Sequence, residues 1–433
     1  MEKQKSQVNI EEEYTQKPIP ESIRKHWFYA GSVYIGMCAV LACSMAGGGL
    51  IYGLNLSQAI LAMLLGLLAL LLFFYIPLGK IGAEQGLNTY LIGECAFGKR
   101  GSDIATSFIV TAIPSIAWYG IEVEIATQAL AAVIPMSKAA FNILTVIFGI
   151  VFAVPAMYGI LSMAWLNWIS LPIMIYIIGY GVGKAILQSG ISGLFAYSPA
   201  QNMGLFWGIN MQIGMIAVGC SFVADYTRWI KNRWSDVAYS GITGLFPATT
   251  ILTTAGMIMA LSATSLGVKE PWNIVEVMIK LGMPAMALVL VFLLQWTTCI
   301  TAAYSSGLAL NKVFGKSRFF LTLISAILGT VFAVSGIVSY FLNFVSILAS
   351  WVAPISSVII TEYFFVSKRN FVRKEGIYWP GVISALIGGF IAWKSKFFVP
   401  ALNGMIVSGI IYYGYHRILG LTAAKEKNIT IET

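Results

Sequence analysis

From about residue 27 to residue 416 the chain repeats apolar runs of about 20 residues or more, and this repetition restricts its fold more than any other feature. A helix of that length crosses the roughly 30 Å hydrocarbon core of a bilayer while satisfying its own backbone. Twelve such runs can be placed, near 27–52, 55–80, 103–134, 139–160, 162–183, 204–226, 237–265, 282–311, 319–337, 339–366, 376–393 and 398–416. With 58% hydrophobic and only 10% charged residues, the chain reads as an all-α polytopic membrane protein. Residues 1–26 form a polar tail carrying Glu11, Glu12 and Glu13, without the apolar core and small-residue cleavage site of a signal peptide. Residues 27–416 read as one membrane domain and 417–433 as a second polar tail, and no connection has room for a soluble domain.

Lys and Arg set the orientation. With both termini in the cytoplasm, 21 of the 27 fall on the inner side, which is the bias of a cytoplasmic membrane protein. The formal charge of +9 is then accounted for by topology and by contact with anionic headgroups, so no nucleic-acid partner is expected. Cys38, Cys43, Cys95, Cys220 and Cys299 lack CxxC spacing and read as packed free thiols. His26 and His416 stand at membrane edges. Without HExxH, a Walker loop or a Ser/His/Asp grouping, the chain is not expected to be an enzyme or to hold an organic cofactor. No obligate protein partner is evident either.

Two spans are rich in small residues near their middles: "CAVLACSMAGGGLIYG" in span 1 and "GINMQIGMIAVGC" in span 6. They lie five spans apart, as expected if residues 27–183 and 204–366 are inverted repeats that each open with a broken helix, with helices 11 and 12 (376–416) added. Close helix packing of the small-xxx-small kind is the alternative reading. The outer loop 187–202 carries Gly, Ser and Pro, and "KEPWNIVEVMIKLG" between spans 7 and 8 reads as a short helix lying on the outer surface.

Halving each span places the odd residues at one depth. Span 1 has its small-residue stretch there, span 3 has Trp118 and Glu122, span 6 has Gln212 to Gly219, and span 8 has "QWTTCITAAYSSG" from Gln295. At about 100° per residue, Ser115, Trp118 and Glu122 share a stripe, whereas Glu124 points about 200° away from Glu122. A carboxylate at a helix centre costs about 2.5–3.5 kcal/mol on insertion scales, so Glu122 is expected to face a cavity or a partner. An aromatic plate with a carboxylate one turn away suits a flat heterocycle, which would stack on Trp118 while Glu122 accepts from ring N–H or amino groups. An interhelical hydrogen bond is the plainer account of Glu122, and it is the expected one for Glu124, beside Thr127 and Gln128. Thr297 and Thr298 offer the hard hydroxyl oxygens that a small cation takes together with unwound carbonyls, or they bond their own i−4 carbonyls. Gln295 and Cys299 stand at i and i+4 on the neighbouring face. Asp225 with Arg228, and Glu362, end spans 6 and 10 and read as interface or gate pairs.

In order and spacing, "GGGLIYGLN", "IGAEQGLNTYLIGECAFGKRGS", "AWYG", "VADYTRWIKN", "QWTTCITAAYSSGLAL" and "VAPISSVIITEYFF" resemble the nucleobase–cation symporter family of purine and cytosine permeases, closest to its bacterial cytosine branch. The resemblance covers about residues 18–415. It implies a ten-helix inverted-repeat core with two extra helices, alternating access, a substrate between helices 1, 3, 6 and 8, and a sodium ion between helices 1 and 8. The implied sodium ligands are the backbone of Gly36, Val40 and Leu294 and the hydroxyls of Thr297 and Thr298. The family's stacking tryptophan matches Trp118, and Glu122 stands where the hydantoin branch has a glutamine. Ser115, the Met215-Ile216 pair and Cys299 replace the cytosine branch's glutamine, Ser-Phe pair and asparagine, so a second aromatic plate is not expected.

The expected activity is sodium-coupled import of a nucleobase or similar flat heterocycle, with Trp118, Glu122, Ser115, Gln212, Met215, Ile216, Gln295 and Cys299 around the substrate. Proton-coupled import of another heterocycle (a hydroxymethylpyrimidine thiamine precursor, a purine, allantoin or a hydantoin) is the alternative, and a channel or membrane sensor a more distant one.

Overall fold

A computed structural model of the chain describes residues 17–158 and 164–431, and the side chains of 158, 164–171, 290–291, 293–297 and 421–431 lie outside that description. The main helical segments follow one another as α1 (Phe28–Cys38 and Leu41–Gly53), α2 (Leu56–Gln85), α3 (Lys99–Val133), α4 (Lys138–Met157), α5 (Pro172–Ala196) and α6 (Leu205–Thr227). The second half comprises α7 (Trp234–Thr264), α8 (Pro284–Phe314), α9 (Arg318–Val334), α10 (Ile337–Val366), α11 (Trp379–Lys394) and α12 (Pro400–Ile431). Seven of these meet a span's length and apolarity as single helices; α1 meets them as a pair of helices bent by 61°, and α8 and α9 meet them together across a 119° turn.

Packing follows a five-helix offset. α1 lies on α7 and α6 on α2; α3 lies on α4 and α8 on α9; α3 also packs on α8 and α4 on α9. Exchanging each helix with the one five later maps this set of contacts onto itself, which is the signature of an inverted repeat. α11 and α12 then pack on α10, outside the repeated core.

Of the two small-residue spans, α1 breaks near its middle as expected and α6 does not. In α1 the helix stops at Ala39–Val40, with Val40 in extended backbone, and the GGG run lies downstream inside an intact helix. A Cβ on Gly47 would come within 2.1 Å of the Thr253 carbonyl of α7, and one on Gly48 within 1.8 Å of the Pro271 carbonyl. Those glycines therefore serve close packing, while the break is made by the residues before them. In α6 the helix runs unbroken from Leu205 to Ser221 through the small-residue stretch, and Gly214 meets the backbone of Val345 on α10. The interruption comes only at Phe222, after which Ala224–Thr227 resumes as one turn, so the second break sits closer to the carboxyl end of the span than the sequence suggested.

Other boundaries also move. The outer loop expected at 187–202 is helical to Ala196 with a kink at Gly190, whose φ of 66° breaks the helix path. The short helix Ile274–Lys280 forms, but Ile274, Val275, Val277 and Met278 are all buried, so it is tucked into the outer face rather than resting on it. Part of the amino-terminal tail is docked: Ile19 is buried, its N–H bonds the Gly86 carbonyl, and Lys25 N–H bonds the Trp229 carbonyl. The last helix continues past residue 416 to Ile431. All five cysteines are free and buried.

Candidate functional site

The break in α1 comes first, because it is the site's backbone feature. The last turn of a helix leaves carbonyls without intrahelical partners and carries the negative end of the helix dipole, a natural place for a cation. Gly36 lies in that last turn, exposed and with open space where a Cβ would be. At the break the Val40 carbonyl accepts the Cys43 N–H at 3.1 Å, and the Cys38 carbonyl accepts the Cys43 thiol. Thr298 of α8 is partly buried, and its carbonyl accepts the Thr301 hydroxyl at 2.8 Å. The side chains of Leu294, Gln295 and Thr297 lie outside the described residues.

On α6, which is 78% buried, the partly exposed residues recur at helical spacing: Met215, Val218, Gly219 and Phe222. These residues form a less covered stripe on an otherwise enclosed helix. Gly219 faces the Met37 side chain of α1, and its carbonyl accepts the Tyr34 hydroxyl. Met215 is therefore on the open stripe, whereas Ile216, only 8% exposed, turns into the core. Gln212 is turned elsewhere: its Cβ packs on Gly66 of α2, and both amide atoms are buried without a hydrogen-bond partner.

α3 brings the aromatic plate. Trp118 is partly exposed and packs edge-on against Phe341 and Phe344 at the start of α10, with centroids 6.0 and 5.3 Å apart. These two rings come from a helix not assigned to the site, and Phe341 is fully buried. Their signal was in the sequence, as "SYFLNF" places Phe341 and Phe344 at i and i+3, but nothing local says which helix they face. Ser115, 9% exposed, stands one turn before Trp118.

Glu122 is 1% exposed, and neither carboxylate oxygen has a hydrogen-bond partner among the described residues. It lies within electrostatic reach of Cys299, which is fully buried where α3 packs on α8. An ionised carboxylate left so is costly, and either a proton or a donor-bearing ligand removes the cost.

Glu124 is buried too but differs in its bonding. One oxygen accepts the Val338 N–H at 2.9 Å and the other the Gln128 amide at 3.0 Å. Gln128 in turn accepts from Asn273, which also caps the helix Ile274–Lys280, and the Trp272 indole donates to the Val338 carbonyl. This network joins α3, the outer helix and the start of α10 above the aromatic layer. The acids at the carboxyl ends of α6 and α10 are likewise occupied. Asp225 accepts the Thr89 N–H at the start of the helix Thr89–Phe97, and Glu362 accepts from Tyr412 and pairs with Lys374.

Comparison with known proteins agrees with this architecture. The cytosine permease of Escherichia coli (strain K12) is 28% identical over 385 residues, 87% of each chain. The hydantoin permease of Microbacterium maritypicum is 26% identical over 422 residues, 89% of this chain and 83% of its own. The inward-facing structure of Mhp1 superposes with a TM-score of 0.81 at 18% identity, covering 94% of this chain and 93% of its own, so the fold is shared. The family described as permeases for cytosine/purines, uracil, thiamine and allantoin matches residues 18–383, and the chain belongs to that family of nucleobase–cation symporters.

Proposed function

We propose that this protein imports a flat, nitrogen-rich heterocycle of the nucleobase type across the cytoplasmic membrane, by sodium-coupled symport and alternating access, with both termini inside. The observation that carries the reading is Glu122, a buried carboxylate with no partner, one turn from a partly open Trp118. The ring stacks on Trp118 against the Phe341 and Phe344 edges, and its N–H or amino donors bond Glu122. The cytosine and hydantoin permeases among its relatives support that substrate class. Sodium is assigned to the carbonyl-rich break at Gly36 and Val40 with Thr298, the donor set a hard cation takes. Ser115, Met215 and Cys299 complete the wall.

The test is thermal stabilisation of the purified protein by cytosine, uracil, adenine, guanine, hydroxymethylpyrimidine, allantoin and hydantoin, each in sodium or choline, since a ligand of the native state raises its melting point by mass action. One base stabilising only with sodium is the expected result, and Thr298→Val should raise the sodium concentration required. Stabilisation by none of them would overturn the substrate class.

The partnerless state of Glu122 favours one second reading, proton coupling through that carboxyl. It requires uptake that survives sodium removal and is abolished by Glu122→Gln.

A further inference from the structure

On the lipid-facing side of the molecule, α3, α8 and α9 enclose a groove of about 570 Å³. Its walls include Phe108 and Ile116 of α3, Leu310 of α8, and Phe320, Leu328 and Phe332 of α9, and a single cation, Lys316, joins them from the turn between α8 and α9. Phe320 and Phe332 are twelve residues apart on α9, about 18 Å at the helical rise, which is close to the roughly 15 Å depth of one leaflet. The groove thus runs from the level of the headgroups toward the middle of the bilayer.

Three cations surround the α8–α9 turn, and two are committed. Lys312 pairs with Asp103 at 3.6 Å and Glu94 at 3.9 Å. Arg318 donates to the carbonyls of Ala156 and Met157 and lies over the Tyr304 ring. Lys316 is exposed and has no ion pair among the described residues, while its own carbonyl is fixed by the Asn311 amide at 2.7 Å. A second groove, between α5 and α8, is lined by Pro172, Tyr176, Met286 and Val289 among others and has no charged residue in its wall.

We propose that the α3–α8–α9 groove holds one acyl chain of an anionic phospholipid of the inner leaflet, with its phosphate on Lys316. Any lipid chain covers apolar surface equally well inside a bilayer, so selectivity rests on the headgroup and the uncommitted cation, while the 119° turn between α8 and α9 gives the chain a seat. Ile116 belongs both to this groove and to the helix that carries Ser115 and Trp118, so the lipid braces the wall of the substrate site.

The test uses the full chain in nanodiscs of phosphatidylcholine containing a minority of phosphatidylglycerol, followed by detergent extraction and mass spectrometry of the retained lipid. The native protein should enrich phosphatidylglycerol about fivefold over its share of the disc, the factor that one lysine at the membrane surface supplies. Lys316→Gln and Lys316→Glu should abolish the enrichment and Lys316→Arg should keep it. Leu328→Trp, which fills the groove with the lysine intact, should also abolish it. Lys231→Glu, at another exposed cytoplasmic lysine, should leave it unchanged. Equal retention of the two lipids by the native protein, or equal losses in Lys231→Glu and Lys316→Glu, would overturn the site in favour of a diffuse surface potential.

Discussion

Glu122 and Glu124 stand on one helix, two residues apart and both buried, yet among the described residues one is bonded through both oxygens and the other through neither. Their angular separation of about 200° sends them to different neighbours. Glu124 meets the outer ends of α10 and of the helix Ile274–Lys280, whose backbone and amide groups need acceptors. Glu122 meets α8 at Cys299, which offers no hydrogen bond of comparable strength. The same side chain is therefore a bonded structural group at one position and, at the other, a buried carboxyl without a hydrogen-bond partner among the described residues, which is the group the proposed function uses.

The largest effect that can test this contrast is the loss of the bonded carboxylate. Glu124→Leu strands the Val338 N–H and the Gln128 amide, and should cost about 3 kcal/mol of stability, read as a lower melting temperature in detergent. Glu122→Gln should leave the melting temperature of the free protein unchanged or raised, while weakening the stabilising base by about 2 kcal/mol, roughly 30-fold in Kd, because a charge-assisted bond becomes a neutral one. A fall in stability equal to that of Glu124→Leu would erase the distinction. Trp118→Ala should weaken the same ligand by about 1.5 kcal/mol through lost stacking, and Trp118→Phe should recover most of it, both measured by titration. The smallest effect lies within the outer network. A double-mutant cycle of Gln128→Leu with Asn273→Ala should give a coupling of about 1 kcal/mol, and the same cycle with Glu122→Gln in place of Asn273→Ala should give none.

Much of this was legible in the chain. Twelve apolar runs gave the spans, since a bilayer admits few other ways of satisfying a backbone. The 3.6-residue period separated Glu122 from Glu124 before any neighbour was known. The GGG run was ambiguous between a break and a packing surface, and it proved to be packing. Its neighbours Thr253 and Pro271 are remote in sequence, and close approach depends on what arrives from elsewhere. The break in α6 at Phe222 was displaced for a related reason, as small residues permit interruption without requiring it. Gln212 shares its depth with the site yet faces Gly66 of α2, because depth fixes height in the membrane but leaves the direction of a side chain to the helix's rotation among its neighbours.

By itself, then, the sequence determined the membrane class, the all-helical fold and the rough limits of its main apolar helices. These follow from transfer free energies and helical geometry, which are local properties of the chain. Only the tertiary structure decided that Phe341 and Phe344 pack edge-on against Trp118, that Glu124 is spent on Val338 while Glu122 is not, and that Lys316, unlike Lys312 and Arg318, has no ion pair or carbonyl partner for its side chain among the described residues. Each of those outcomes depends on which helices become neighbours, and that is set by packing between segments tens to hundreds of residues apart.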